Sequence, residues 1–194
     1  MYNGWTMRKF LTILATFTMT ALPAFGDTGW NTFTGYAKNQ IVFNIGQGVD
    51  SGFLLPPPVK PVPFYIMHLQ YSQPTTFFSL PARQSLNIAQ TIGFGEKYGW
   101  KWEDYTIPMV MLSGDVRLSE YKNLYVAMGA GVGLQAQQNE RLGAKLLFQF
   151  KLLAGYHFNE RWGMEIFVQH FSNANTALEN YSYAFYGAGI TYSF

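Results

Sequence analysis

The stretch Gln169-His170-Phe171-Ser172-Asn173-Ala174-Asn175, followed by Glu179-Asn180-Tyr181-Ser182, gathers side chains suited to nucleophilic chemistry. A serine hydroxyl becomes a nucleophile when a neighbouring base takes its proton, and neutral imidazole can do this. Residues two apart on a strand point the same way, so a strand through this stretch sets His170 beside Ser172. A carboxylate on the far imidazole nitrogen fixes the tautomer and stabilises the imidazolium, and Glu179 is the nearest acid in sequence. Asn173, or the backbone N–H groups running from Asn173 to Asn175, can supply charge stabilisation for an oxyanion. The reaction class is ester hydrolysis through an acyl-enzyme. An isolated His-x-Ser pair is common, so its setting decides.

The setting is β-rich. Period-two alternation dominates the chain. Ala184, Tyr186, Ala188, Ile190, Tyr192 and Phe194 share one face of the last segment, opposite Gly187, Gly189, Thr191 and Ser193. Similar alternation runs through Val110–Leu118, Leu124–Gln135, Leu146–Phe158 and Trp162 to about Asn173, and less regularly near Gln40–Gln47, Pro63–Ser72 and Arg83–Phe94. That predicts eight strands. Transmembrane strands need about 9–11 residues, so eight fit with loops to spare. The connections Ser119–Asn123 and Asn159–Arg161 read as tight. Gly46–Val62, Phe94–Tyr105, Gln135–Gly143 and Asn173–Asn180 read as long, and serine-rich Ser72–Ala82 as an exception of moderate length.

Composition narrows the class. The chain has 194 residues, 12% of them charged, 18% aromatic, with no cysteine and a formal net charge of +2. Disorder requires low hydrophobicity and high charge, so it is excluded. Thiolate metal sites and disulfide scaffolds fall with the missing cysteines. The small charge without a basic run argues against nucleic acid as a partner. Near the start, Arg8 and Lys9 precede the apolar run Phe10–Leu22, then Pro23 and Ala24-Phe25-Gly26. This reads as a secretory signal peptide over residues 1–26, leaving residues 27–194 as the mature domain. The terminal Phe194, with Tyr192 before it, is similar to the signature read by the barrel assembly machinery. The expected fold is therefore all-β, an eight-stranded antiparallel up-and-down transmembrane β-barrel in the outer membrane. Its lumen should be filled by side chains, with no pore.

In such a barrel apolar residues face lipid while polar residues and glycine face inward. On the seventh strand the lipid-facing series Trp162, Met164, Ile166, Val168 continues into His170 and Ser172. Eight steps at about 3.3 Å, tilted near 40°, raise His170 roughly 20 Å above Trp162, against an apolar band about 25 Å tall. The pair then sits at the outer rim, where the acyl chains of lipopolysaccharide begin. His170–Ala174 (HFSNA) and Glu179–Tyr183 (ENYSY) resemble the PagL family of lipid A 3-O-deacylases. Leu80–Gln84 (LPARQ) and Phe194 extend the likeness. The resemblance implies an outer-membrane barrel with its site on the outer wall, His170 as base, Ser172 as nucleophile and Glu179 as orienting acid. It implies lipopolysaccharide and outer-membrane lipids as partners and hydrolysis of the ester-linked 3-hydroxyacyl chain at position 3 of lipid A. No His, Asp or Glu spacing suggests a metal site, and no cofactor is expected. Asn175 stands where the family carries glycine, and the stretch from His170 to Glu179 is shorter than in well-known members.

Other polar groups have plainer readings. His68 and His157 fall on inward faces as lumen hydrogen-bonding groups, and Asp115, Arg117, Lys151 and Glu165 as an interior charge network, because buried charge must be paired. Gly129, Gly131 and Gly133 make room for bulky neighbours. Trp100 and Trp102 read as interface anchors or sugar contacts in a long loop. Two rival functions remain at the level of sequence: a non-catalytic small barrel whose loops bind or adhere, and an acyltransferase using the same acyl-enzyme. Oligomeric state is not legible.

Overall fold

Alternating side chains give each strand of this chain two chemically different faces, and closing the sheet separates them into an apolar outer wall and an interior of polar, charged and aromatic side chains. The computed structural model describes residues 36–49 and 60–194; the signal-peptide reading lies outside them. Ten strands follow in order: β1 (Gln40–Val49), β2 (Pro61–Phe77), β3 (Leu80–Gly93), β4 (Glu96–Lys97), β5 (Trp100–Lys101), β6 (Pro108–Tyr121), β7 (Leu124–Gln135), β8 (Leu146–His157), β9 (Trp162–Ser172) and β10 (Tyr183–Ser193). Eight form a closed barrel in the cyclic order β1-β10-β9-β8-β7-β6-β3-β2, while β4 and β5 pair as a small separate ribbon. Every barrel pairing is antiparallel; each barrel strand pairs with the next barrel strand in the chain, β3 with β6 across the small ribbon, and β1 closes against β10 from Gln40↔Ser193 to Val49↔Ala184. This is the eight-stranded up-and-down barrel expected from the alternation.

The outer face is apolar. Phe43, Ile45, Leu69, Ile88, Leu112, Leu134, Ile166 and Ile190 are all exposed on it. For a soluble protein such a belt would be a severe liability; in lipid it is the surface the barrel needs. Aromatic residues Tyr156, Phe158, Trp162, Tyr192 and Phe194 cluster at the end of the short turns, with the Trp162 and Tyr192 rings 4.8 Å apart. They form an interfacial girdle of the kind that anchors barrels.

Inside, charge is collected near the short-turn end. Arg83 is the hub. Its Nε donates to Asp115 Oδ1 at 2.9 Å and its Nη1 to Glu165 Oε1 at 2.8 Å. Tyr125 donates to the same Glu165 oxygen at 2.7 Å, and Lys151 Nζ lies 3.6 Å from Glu165 Oε2. Tyr36 donates to Asp115 and lies under the Arg83 guanidinium. Arg117 pairs with Glu120. Each cation of this cluster thus has a carboxylate partner, as removal from water requires. The expected network holds, with Arg83 added at its centre. Glycines let it fit: a Cβ on Gly131 would stand 2.8 Å from Ser113 Cβ, Leu112 O and Gln149 Oε1.

The long-loop end is closed by aromatic packing instead. Phe64, Trp102, Tyr105, Phe171, Tyr183 and Phe185 form one buried cluster with Leu142 and Leu147. Trp102 opens a single 3-10 turn (Trp102–Tyr105) and is 1% exposed, its ring 5.2 Å from that of Phe64. The anchoring and sugar-contact readings of Trp102 are corrected here: the indole is a stopper over the lumen. Gly93 has no side chain because the Trp102 backbone occupies the space a Cβ would take.

One connection also differs from expectation. Ser72–Ala82 is not a loop of moderate length. β2 runs to Phe77, β3 starts at Leu80, and Phe78 and Ser79 form a two-residue turn with φ of 46° and 65°. Positive φ at both central positions suits a tight hairpin of right-handed twist. Pro74 and Pro81 break the alternation without breaking the hairpin, because β1 pairs β2 only as far as Ser72 and β6 pairs β3 only from Ala82. Proline is tolerated on such free edges. With this correction the short connections lie at one end and the long ones at the other.

Candidate active site

β9 carries the two chemical residues on its lipid-facing side. Its burial alternates without a slip, with Gly163, Glu165, Phe167, Gln169 and Phe171 buried and Trp162, Met164 and Ile166 exposed. His170 and Ser172 keep the parity of the exposed set and are half-buried. They lie two residues apart on one face, a separation of about 6.6 Å along the strand. Across the sheet, His170 is in register with Phe150 on β8 and Ala184 on β10, and Ser172 with Phe148 on β8. The pair is therefore framed by aromatic rings on one side and a small residue on the other. Ser172 is the last residue of its strand, at the end where the long loops emerge.

The loop after Ser172 is wired tightly. Asn173 is fully buried and has the opposite parity, so its side chain turns away from the Ser172 face. Its Nδ2 donates to Leu142 O at 2.5 Å and Glu179 O at 2.7 Å, while its Oδ1 accepts from the Asn175 N–H at 2.7 Å. Its own N–H donates to Asn180 Oδ1 at 3.1 Å. Asn180 Nδ2 in turn donates to Asn175 Oδ1 at 2.9 Å. Thr176 closes the turn by donating N–H and hydroxyl to Asn173 O. Ala174 and Asn175 take φ of 52° and 63°, a conformation that these hydrogen bonds hold in place.

These contacts sort the sequence-predicted residues. His170 and Ser172 share the outward face of β9, two residues apart. The side chains of Asn173 and Asn175 are committed within the loop, to Leu142 and Glu179 in one case and to Asn180 in the other. Of the three backbone N–H groups from 173 to 175, the first and last serve Asn180 and Asn173, and that of Ala174 remains turned to no acceptor among the described residues. The main chain of Glu179 is tied to the Asn173 side chain, on the buried side of the loop away from the Ser172 face. The Glu179 side chain is exposed and forms no ion pair or hydrogen bond among the described residues. Glu179 lies in the loop of residues 173–182, outside β10. Among the described residues no group of His, Asp and Glu could hold a metal.

Sequence reasoning missed Arg141. It lies in the β7–β8 loop, nearly buried, with its guanidinium 4.7 Å from the Trp100 ring and 5.0 Å from the Trp102 ring. Its Nη2 donates to Tyr181 O and Ser182 O, each at 3.1 Å. Nothing in a polar loop sequence marks one arginine as buried, because its partners are distant in the chain. The neighbouring Tyr105 phenol is pushed up from its ordinary range by burial, opposed by the Arg141 charge. It stays neutral within the aromatic stopper.

Known proteins place this architecture. The crystal structure of the outer membrane enzyme PagL superposes with a TM-score of 0.53 at 16% identity, covering 80% of this chain and 99% of that one. A de novo designed transmembrane β-barrel superposes with a TM-score of 0.51 at 9% identity, covering 81% of this chain and 96% of that one. These two likenesses speak to the fold. No curated protein sequence matches the chain. The family model for lipid A 3-O-deacylase (PagL) matches residues 67–193, which include the outward His170–Ser172 pair and the loop behind it. The chain thus belongs to the PagL family and is an outer-membrane ester hydrolase acting on lipid A.

Proposed function

We propose that the protein hydrolyses the ester-linked 3-hydroxyacyl chain at position 3 of lipid A, with Ser172 as nucleophile, His170 as general base and Glu179 as the orienting acid. The observation that carries this reading is the interruption of a lipid-facing apolar stripe by His170 and Ser172, at the long-loop end of β9. A lipid ester diffusing in the outer leaflet meets that wall side-on, so the site needs no pore and no lumen access.

In the first step Ser172 Oγ attacks the ester carbonyl carbon while the His170 imidazole takes its proton. The tetrahedral oxyanion is stabilised by backbone N–H donors at the start of the loop, with Ala174 N–H the one not already engaged. Collapse breaks the bond to the sugar oxygen, which leaves with the imidazolium proton. The acyl-serine is then attacked by water, His170 again removing the proton, and the 3-hydroxy fatty acid departs. Glu179 supports the imidazolium once its exposed side chain swings toward the wall. Its main chain is already tied to the residue after Ser172, and catalytic hydrogen bonds commonly tighten only with substrate bound.

The test is lipid A chemistry in outer membranes carrying folded wild type, Ser172→Ala or His170→Ala. Wild type should release one 3-hydroxy fatty acid and each variant none. Activity that survives Ser172→Ala would move the nucleophile elsewhere. Transfer of the acyl chain to a second lipid would make the protein a transferase.

A further inference from the structure

A misplacement of about 1 Å at the reacting atoms can lower a rate on the order of a hundredfold, so the residues that hold the reacting side chains in place govern the rate as well. Ser172 ends β9, and from there the chain enters a ten-residue connection to β10. Sheet pairing no longer fixes it. What does fix it is a spine from the neighbouring β7–β8 loop, Arg141-Leu142-Gly143.

Each spine residue has one job. Leu142 O accepts from the Asn173 side chain. Gly143, at φ 60°, leaves room for the opposite loop: a Cβ there would lie 3.0 Å from Glu179 O and 3.1 Å from Ala177 Cβ. Arg141 makes the clamp. Its carbonyl accepts from Tyr181 N–H at 2.7 Å, and its guanidinium donates to Tyr181 O and Ser182 O. The same planar group lies within cation–π distance of both Trp100 and Trp102. Its partners thus reach from the aromatic stopper of the lumen to the loop that carries Glu179.

We propose that Arg141 is a positioning residue for catalysis: by fastening Tyr181 and Ser182 to the Trp100–Trp102 stopper, it sets the loop that aligns Ser172, the Ala174 N–H and Glu179. Guanidinium suits the place because it is planar, stacks on aromatic faces and donates several hydrogen bonds at once. Lysine keeps the charge yet cannot stack and donate to both carbonyls in the same geometry. Arg141 is buried and turned toward the barrel mouth, so its part in the reaction is exerted through the loop.

This inference rests on the Ser172–His170 reading, and the experiment separates the two. Wild type, Arg141→Ala, Arg141→Lys and Ser172→Ala are folded into outer-membrane vesicles, and closure of each barrel is checked by heat-modifiable gel mobility. Deacylation kinetics are measured, together with the rate at which a lipophilic fluorophosphonate labels Ser172. The Arg141→Ala barrel should fold, label slowly and lose kcat on the order of thirtyfold or more, with KM little changed, the pattern of lost transition-state alignment. Arg141→Lys should recover only a small part. Millimolar methylguanidinium, entering the slot between the indoles, should restore rate to Arg141→Ala and not to Ser172→Ala. If Arg141→Ala folds and keeps wild-type kcat and labelling while Ser172→Ala is inert, the positioning role is wrong and the nucleophile stands. If Ser172→Ala remains active and unlabelled wild type turns over, the reading beneath it fails instead.

Discussion

The Asn173 side-chain amide donates to the Glu179 carbonyl at 2.7 Å, tying the loop that carries the acid to the residue that follows Ser172. The same amide nitrogen donates to Leu142 O. One buried asparagine therefore joins the end of β9, the β9–β10 loop and the β7–β8 loop. Replacing it by alanine removes these bonds and leaves two carbonyls in a dry place, at a cost of about 1–3 kcal/mol. Asn173→Ala should lower the midpoint of urea unfolding and reduce deacylation in the barrels that remain folded. Asn173→Asp should not restore either, because a carboxylate cannot donate to Leu142 O and Glu179 O. Wild-type stability and rate in Asn173→Ala would show that the junction is idle.

Glu179→Gln tests the third member of the proposed constellation. The amide preserves size and the main-chain bond to Asn173, yet removes the charge that would stabilise the imidazolium. The rate should fall on the order of a hundredfold or more, with little change in barrel stability, since the side chain is exposed. An unchanged kcat would remove Glu179 from the mechanism while leaving His170 and Ser172 in it.

Arg83→Met probes the interior. The substitution strands Asp115 and Glu165, which take 2.9 Å and 2.8 Å bonds from the guanidinium. Breaking one side of a buried ion cluster typically costs about 3–5 kcal/mol. Unfolding in a bilayer should show that loss, whereas the activity of molecules that stay folded should be largely retained, because the cluster sits toward the short-turn end. Adding Asp115→Asn and Glu165→Gln to Arg83→Met should recover part of the stability.

Gly131→Ala asks whether the inner wall is as full as it looks. The new methyl would lie 2.8 Å from Ser113 Cβ and two oxygen atoms, and overpacking of this kind costs about 1–3 kcal/mol. The measurement is again the urea midpoint. No shift would mean that the lumen has slack.

The alternation of β6 to β10 is legible because the outward positions are apolar almost throughout, whereas the inward ones mix glycine, polar and aromatic residues, and the outward parity of His170 and Ser172 follows from the same count. The β2–β3 hairpin was harder to read. Pro74, Pro81 and the serines look like loop residues until the structure shows that the prolines lie beyond the reach of β1 and β6. Arg83 looked ordinary in sequence because the carboxylates that make it a hub lie 32 and 82 residues away. Trp102 is hard to place for a related reason, since an indole in a loop can face water, lipid or the lumen mouth. The loop behind Ser172 carried the least signal: its order depends on Arg141 and Leu142, contributed by another connection.

The most direct test is mass spectrometry of lipid A from cells carrying the folded wild-type barrel and, in parallel, Ser172→Ala. The wild-type sample should lose the mass of one 3-hydroxyacyl chain from position 3, and the Ser172→Ala sample should keep it. An intact acyl pattern beside folded wild type, or equal loss beside Ser172→Ala, would contradict a serine esterase on the outer wall.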